Sequence, residues 1–174
     1  MRRLAACLAL ATLLGAGPVV PAQAAEESAT PIGTYRSWNG YSYMDGGKKI
    51  CFMATKPTRT LPEGATRGEI YAMITHRPAE NSTGVVSIVT GYTYKSNSDV
   101  QVTIGNQRFS LFTDGDTAWA RDDATDRALV AAIKGGSAMT VVGTSARGTK
   151  TTDTYSLAGS SAAYQAISQQ CGLR

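Results

Sequence analysis

From Thr34 to Ser156 apolar residues fall on every second position, in short runs broken by Gly, Asp, Asn and Pro. Alternation of that period sets apolar side chains on one face of an extended chain, so each run must bury that face against a second layer. The pattern predicts an all-β domain with strands in "KKICFMAT", "EIYAMITH", "VVSIVTGYTY", "DVQVTIG", "QRFSLFT" and "TAWA". "TYRSWNGYSY" also reads as a strand, but its register is open between two faces. Asp45-Gly46-Gly47, Gly105-Asn106 and Asp114-Gly115-Asp116 read as tight turns, "KPTRTLPEGATRG" and "RPAENSTG" as longer loops.

Two segments break the period. "DDATDRALVAAIKGG" predicts a helix capped by Asp122 or Asp123, with Leu129, Val130 and Ile133 as its apolar stripe and Gly135-Gly136 ending it. In "SSAAYQAISQQCG" the spacing puts Tyr164, Ile167 and Cys171 on one face of a second helix.

The start of the chain is of another kind. Arg2 and Arg3, an apolar run from Leu4 to Gly15 and the small-residue site Ala22-Gln23-Ala24 have the order of a secretory leader, cut after Ala24. The run is too short to span a bilayer. Leu4-Ala5-Ala6-Cys7 resembles a lipoprotein box but precedes any stretch that could engage export, so cleavage is the expected outcome. Three parts are expected: a leader over 1–24, a loose arm over 25–33 and a single domain over 34–174. Without Arg2 and Arg3 the chain carries 15 Lys+Arg against 13 Asp+Glu, with no basic stripe of the kind that binds nucleic acid. Cys51 and Cys171 remain, and in an oxidising compartment an even pair reads as a disulfide that ties the last helix to a strand; two free thiols are the alternative.

"GTSARGTKTTDTYSLAG", residues 143–159, resembles a phosphate loop, yet Lys150 comes one residue late and threonines continue where a helix should begin. Neither nucleotide nor cofactor binding is expected. A nucleophile turn also fails: Gly143-Thr144-Ser145-Ala146-Arg147 lacks its closing glycine, and His76, the sole histidine, would have to serve Ser145 as base. A hairpin with the three-residue loop Ala146-Arg147-Gly148 accounts for more. It pairs Val141 with Asp153 and Met139 with Tyr155, turns the odd residues inward and leaves Thr152 and Thr154 exposed. Asp153 on that inward face needs a donor, Arg147 or another. Arg147 at the tip is therefore either a structural pair for Asp153 or a contact for a partner.

Other groupings carry less. Asp114 and Asp116 lack the remaining ligands of a calcium loop, and no second histidine exists for a His-based zinc site, so no metal is expected. Asn81-Ser82-Thr83 fits a glycosylation sequon; Trp119, Tyr92 and Tyr94 are candidates for a binding face or for core; Glu63 and Glu69 cannot be placed relative to each other.

The order of the blocks "KKICFMATKPT", "RGEIYAMITHRPAE", "GVVSIVTGYTYK", "IGNQRFSLFTDGDTAWA" and "LVAAIKGGSAMTVVGTSARGTKTTDTYSLAGSSAAYQAI", with the terminal cysteine, resembles the invasion-associated locus B family of exported bacterial proteins. The resemblance covers nearly all of residues 35–171. It implies an immunoglobulin-like β-sandwich in the periplasm or envelope of a Gram-negative bacterium, or secreted from it, with no established enzymatic activity or cofactor. The resulting expectation is a non-catalytic protein that binds a protein or envelope partner, possible host-cell interaction included, and does not span the membrane. The alternative is a periplasmic hydrolase or small-molecule carrier built on an aromatic or carboxylate pocket, which a deep cavity with convergent polar groups would favour over a filled core.

Overall fold

The structure, a computed structural model, describes residues 28–173. The leader, its cleavage point, Cys7 and the first part of the arm lie outside the described residues.

Eleven strands and two helices follow one another as β1 (Thr30–Tyr35), β2 (Trp38–Asp45), β3 (Lys48–Thr55), β4 (Arg59–Leu61), β5 (Tyr71–Arg77), β6 (Ser82–Val89), β7 (Val100–Ile104), β8 (Gln107–Asp114), β9 (Thr117–Trp119), α1 (Asp123–Gly135), β10 (Ala138–Thr144), β11 (Lys150–Ser156) and α2 (Ser160–Gln170). All pairings are antiparallel, in the order β1-β2-β3-β5-β6-β9-β8-β7-β10-β11-β4. The expected immunoglobulin-like β-sandwich is present, and its two layers are continuous through β8. Gln107–Leu111 of that strand pair with β7 in one layer, and Phe112–Asp114 pair with β9 in the other. Between the layers Trp38, Met53, Ile74, Ile88, Leu111, Met139 and Tyr155 are each 0 % exposed, so the core is filled.

The inner face of the β2–β3–β5–β6 layer extends beyond its partner layer, and α2 closes that end. Ile167 packs over Gly40, and Cys171 is bonded to Cys51, with Cα atoms 5.9 Å apart. Cys51 stands between Ser42 and His76 in the ladder, all three buried beneath the helix. α1 is capped by Asp122, whose side chain accepts from the Thr125 N–H, and Asp126 of its first turn accepts from the Val86 N–H at 2.8 Å. β9 ends opposite Ser87, so that N–H lies beyond the paired stretch and the helix supplies the acceptor.

Three expectations need correction. "TYRSWNGYSY" is not one strand, because Arg36 at φ +56° turns the chain between β1 and β2; Thr30–Gly33, assigned to the arm, belong to β1. The loop over 56–68 contains an edge strand, β4. That strand accounts for the third difference: Thr152 and Thr154 are half-buried instead of exposed. Leu61 and Arg59 pair beside them, and the Thr58 hydroxyl donates to the Thr154 carbonyl at 3.0 Å.

Candidate binding site

The 139–157 hairpin has the expected register: Val141 opposite Asp153, Met139 opposite Tyr155, with Gly148 at φ +86° in the loop. Asp153 is 0 % exposed, and the donor it requires is not Arg147. It is Arg67, from the loop between β4 and β5, whose two terminal nitrogens each donate to one carboxylate oxygen at 2.7 Å. The Arg67 Nε–H donates to the Thr90 carbonyl at 2.9 Å, and the guanidinium lies 5.0 Å from the centre of the Tyr92 ring. The pair is almost wholly removed from water, with side-chain exposures of 5 % and 1 %. Fork-to-fork geometry is what makes such a pair tolerable, since burying either charge alone costs several kcal/mol, on the order of 3–5.

Three segments converge around it. The Gly68 N–H donates to the Gly91 carbonyl at 2.8 Å, and the Ala146 N–H donates to the Thr93 carbonyl at 2.8 Å, tying loop 62–70, loop 90–95 and the hairpin tip together. The first contact needs glycine: at Gly91 (φ +70°) a Cβ would come within 2.6 Å of the Gly68 backbone. At Gly143 it would meet the Tyr94 ring at 2.7 Å, so that glycine admits the tyrosines. Tyr92 and Tyr94 meet edge to face at 5.3 Å; Tyr94 goes into the core, and the Tyr92 hydroxyl shares a 2.6 Å hydrogen bond with Thr151. Burial raises the phenol of Tyr92 above its ordinary value and raises those of Tyr94 and Tyr155 strongly, so all three are neutral at neutral pH.

Above the pair the three segments leave two adjoining open clefts of about 510 and 280 Å³. Thr66, Arg67, Tyr92, Ser145 and Arg147 line both. Arg147 is exposed at the tip and makes no ion pair with any described residue. Ser145 is 5 % exposed; its oxygen accepts from the Thr149 N–H at 3.2 Å.

His76 and Ser145, weighed in the sequence as base and nucleophile, do not hydrogen-bond to each other. His76 is 0 % exposed and lies under α2. Its Nδ1 accepts from the Gly84 N–H at 2.9 Å, and its Nε2 is 3.1 Å from the Ser168 hydroxyl, which itself donates to the Tyr164 carbonyl at 2.8 Å. Those partners fix the neutral Nε2–H tautomer. Both ring nitrogens are thus engaged, and burial pushes the imidazole down to about 4; the neutral ring joins β5, β6 and α2 and makes no hydrogen bond with Ser145. Glu63 and Glu69 sit in separate surface ion pairs, with Arg59 at 3.9 Å and Lys56 at 2.7 Å. Asp114 and Asp116 flank the β8–β9 turn, and among the described residues no group of three metal-ligating side chains occurs. Trp119, half-buried in β9, is not among the residues that line the two clefts.

A second surface feature went unread in the sequence. On the outer face of β2, β3 and β5, Phe52 lies 5.1 Å from Tyr41 in a stacked arrangement and 6.1 Å from Tyr43 edge on. Shallow grooves of about 290 and 340 Å³ flank it. Ile50, Cys51, Phe52, Met53 and Ala54 run without a polar break, so β3 is apolar on both faces and period alone did not separate core from surface.

No helix among the described residues is long and apolar enough to cross a membrane. The chain is similar in fold to the crystal structure of invasion associated protein b from Bartonella henselae, with a TM-score of 0.55 over 79 % of this chain and 95 % of that one, at 18 % identity. No curated protein sequence matches it. The sequence model described as "Invasion associated locus B (IalB) protein" matches residues 38–168, from Trp38 at the start of β2 to Ser168 in α2. By that match over most of its length, the chain belongs to the invasion associated locus B family.

Proposed function

We propose that this chain is a non-catalytic, exported protein of the bacterial envelope, periplasmic or secreted, that works by binding a protein or envelope partner at the hairpin end of its sandwich. One observation carries the reading: Arg147 stands unpaired on the rim of clefts whose lining offers hydrogen-bond donors but no acid–base pair. Such a surface can hold a partner and has nothing with which to transform it. The leader over 1–24, the cystine and the family support export, and host-cell interaction falls within the same role. The filled core weighs against a carrier that encloses its cargo.

Mature protein crosslinked into cell envelopes tests the proposal. Arg147→Ala should weaken capture of the partner while leaving thermal unfolding unchanged to within about 0.5 kcal/mol, the usual range for an isolated surface residue. Capture that is indifferent to Arg147 would remove the hairpin end as the contact. A melting transition raised by ATP and magnesium, and abolished by Lys150→Ala, would overturn the non-catalytic reading.

A further inference from the structure

We propose that the clefts at the hairpin end form a carboxylate-binding site, with Arg147 as the fork that grips the carboxylate and Ser145, Thr151 and Tyr92 as the hydroxyls beneath it. The inference deepens the binding role above and rests on it for its physiological meaning, but its chemistry comes from the inventory of donors. Of five guanidinium N–H groups, Arg67 spends three, one on Thr90 and two on Asp153. Ser145, 5 % exposed, accepts from Thr149 and donates to no described residue. Thr151 and Tyr92 share one hydrogen bond, so one of their two hydroxyl hydrogens is left over. Arg147 makes no hydrogen bond or ion pair among the described residues, which adds a whole guanidinium.

The balance of charge is equally one-sided. No acidic side chain lines either cleft. Asp153, underneath, is held through both its oxygens by Arg67, so the pair is neutral as a unit and Arg147 leaves a surplus positive charge at the rim. A buried hydroxyl without an acceptor and an unpaired cation on one concave surface call for a ligand that only accepts and carries negative charge. A guanidinium is planar and forked, and its match is a planar carboxylate bound through both oxygens. The Arg67–Asp153 pair has a positioning role: it fixes Tyr92 by stacking and anchors the inward face of β11, and so holds Thr151 at the base of the cleft. Two sources present this group, the free C-terminus of a peptide and a small carboxylic acid.

The test is titration of the isotope-labelled mature protein, followed by amide NMR, with acetyl-alanyl-alanine, its C-terminal amide, propionate and inorganic phosphate as probes. Saturable shifts at residues 66–68, 91–93 and 145–149 are expected with acetyl-alanyl-alanine and absent with the amide. Shifts with propionate of equal affinity assign the site to small acids; shifts with the peptide alone assign it to C-termini. Arg147→Gln should weaken binding about tenfold or more, and Arg147→Lys should restore part of it, since charge survives but the fork does not. Ser145→Ala, with its melting transition checked, should lose affinity severalfold. Equal binding of the amide, tighter binding of phosphate, no shifts at all, or shifts that persist in Arg147→Gln would each overturn the assignment. Envelope capture separates this from the broader role. Capture that depends on Arg147 without any response to acetyl-alanyl-alanine or propionate removes the carboxylate chemistry alone. Titration that succeeds while capture ignores Arg147 leaves a carboxylate site and removes the partner surface.

Discussion

At the scale of single residues, a buried ion pair and a buried histidine set the behaviour of the molecule. Asp153 and Arg67 come from segments 86 residues apart and neutralise each other without water. Asp153→Asn keeps the shape and removes the charge, so Arg67 is left buried without its counterion. Urea unfolding should show a loss of about 3–5 kcal/mol, and the double variant Asp153→Leu/Arg67→Met should recover much of it. His76 gives a pH dependence with a definite sign. Its folded value near 4 lies below the 6.5 of the free side chain, so the unfolded state binds the proton more readily. Stability from this group is therefore complete above pH 6.5 and falls progressively as pH drops toward 4, by roughly 3 kcal/mol in total. Unfolding free energies measured from pH 7.5 to 4 should fall more steeply in the wild type than in His76→Gln, which cannot take up that proton. Parallel curves would show that the ring carries a charge in the folded state.

At the scale of elements, the β10–β11 hairpin shows how much a period can specify. A slip of one residue would exchange its faces, and the observed register keeps Val141, Tyr155 and Leu157 inside. Tyr155→Ala should cost about 3–5 kcal/mol, as for other large core aromatics, whereas Thr154→Ala, half-buried beside the short edge strand β4, should cost less than about 1.5 kcal/mol. Similar losses at both positions in denaturant titrations would contradict the register. The bulge between β5 and β6 is a second such device. It displaces Gly84, at φ +72°, from the ladder, and the freed N–H is taken up by His76. The histidine, read from the sequence as a residue at the end of a strand, therefore serves to join two strands to a helix.

At the scale of the whole molecule, the cystine closes a loop of 120 residues that includes β4 to β11 and both helices. The chain-entropy account assigns such a link about 4–5 kcal/mol, acting through the unfolded state. A non-reduced digest should yield the Cys51 and Cys171 peptides joined, and reduction should lower the unfolding free energy by about 2–5 kcal/mol. The first element to loosen on reduction should be α2, because the cystine tethers its C-terminus to β3 whereas the strands are also held by their own ladders; hydrogen exchange across 160–170 reads this directly. Two unlinked thiols in freshly exported protein would contradict the link.

Local patterns specified most of the framework. Most of the strands along the chain, both helices, the hairpin register, the Asp122 or Asp123 cap and the cysteine pairing follow from periods, turn residues and an even count, which act over a few neighbours or leave no other partner. Tertiary structure decided what no such pattern carries. That Asp153 needed a cation was legible from its place on an apolar face, but Arg67 was hidden in a loop whose proline and glycine content concealed β4 as well. Arg147, nearer in sequence, stays exposed on the cleft rim, because a side chain at the tip of a hairpin lies beyond the paired strands that bury Asp153. Likewise Phe52, Tyr41 and Tyr43 look like core residues until the helix and the second layer are seen to cover the opposite face. A sequence determines which faces are apolar; only the packing of distant segments decides which of those faces is covered, and which charges meet beneath it.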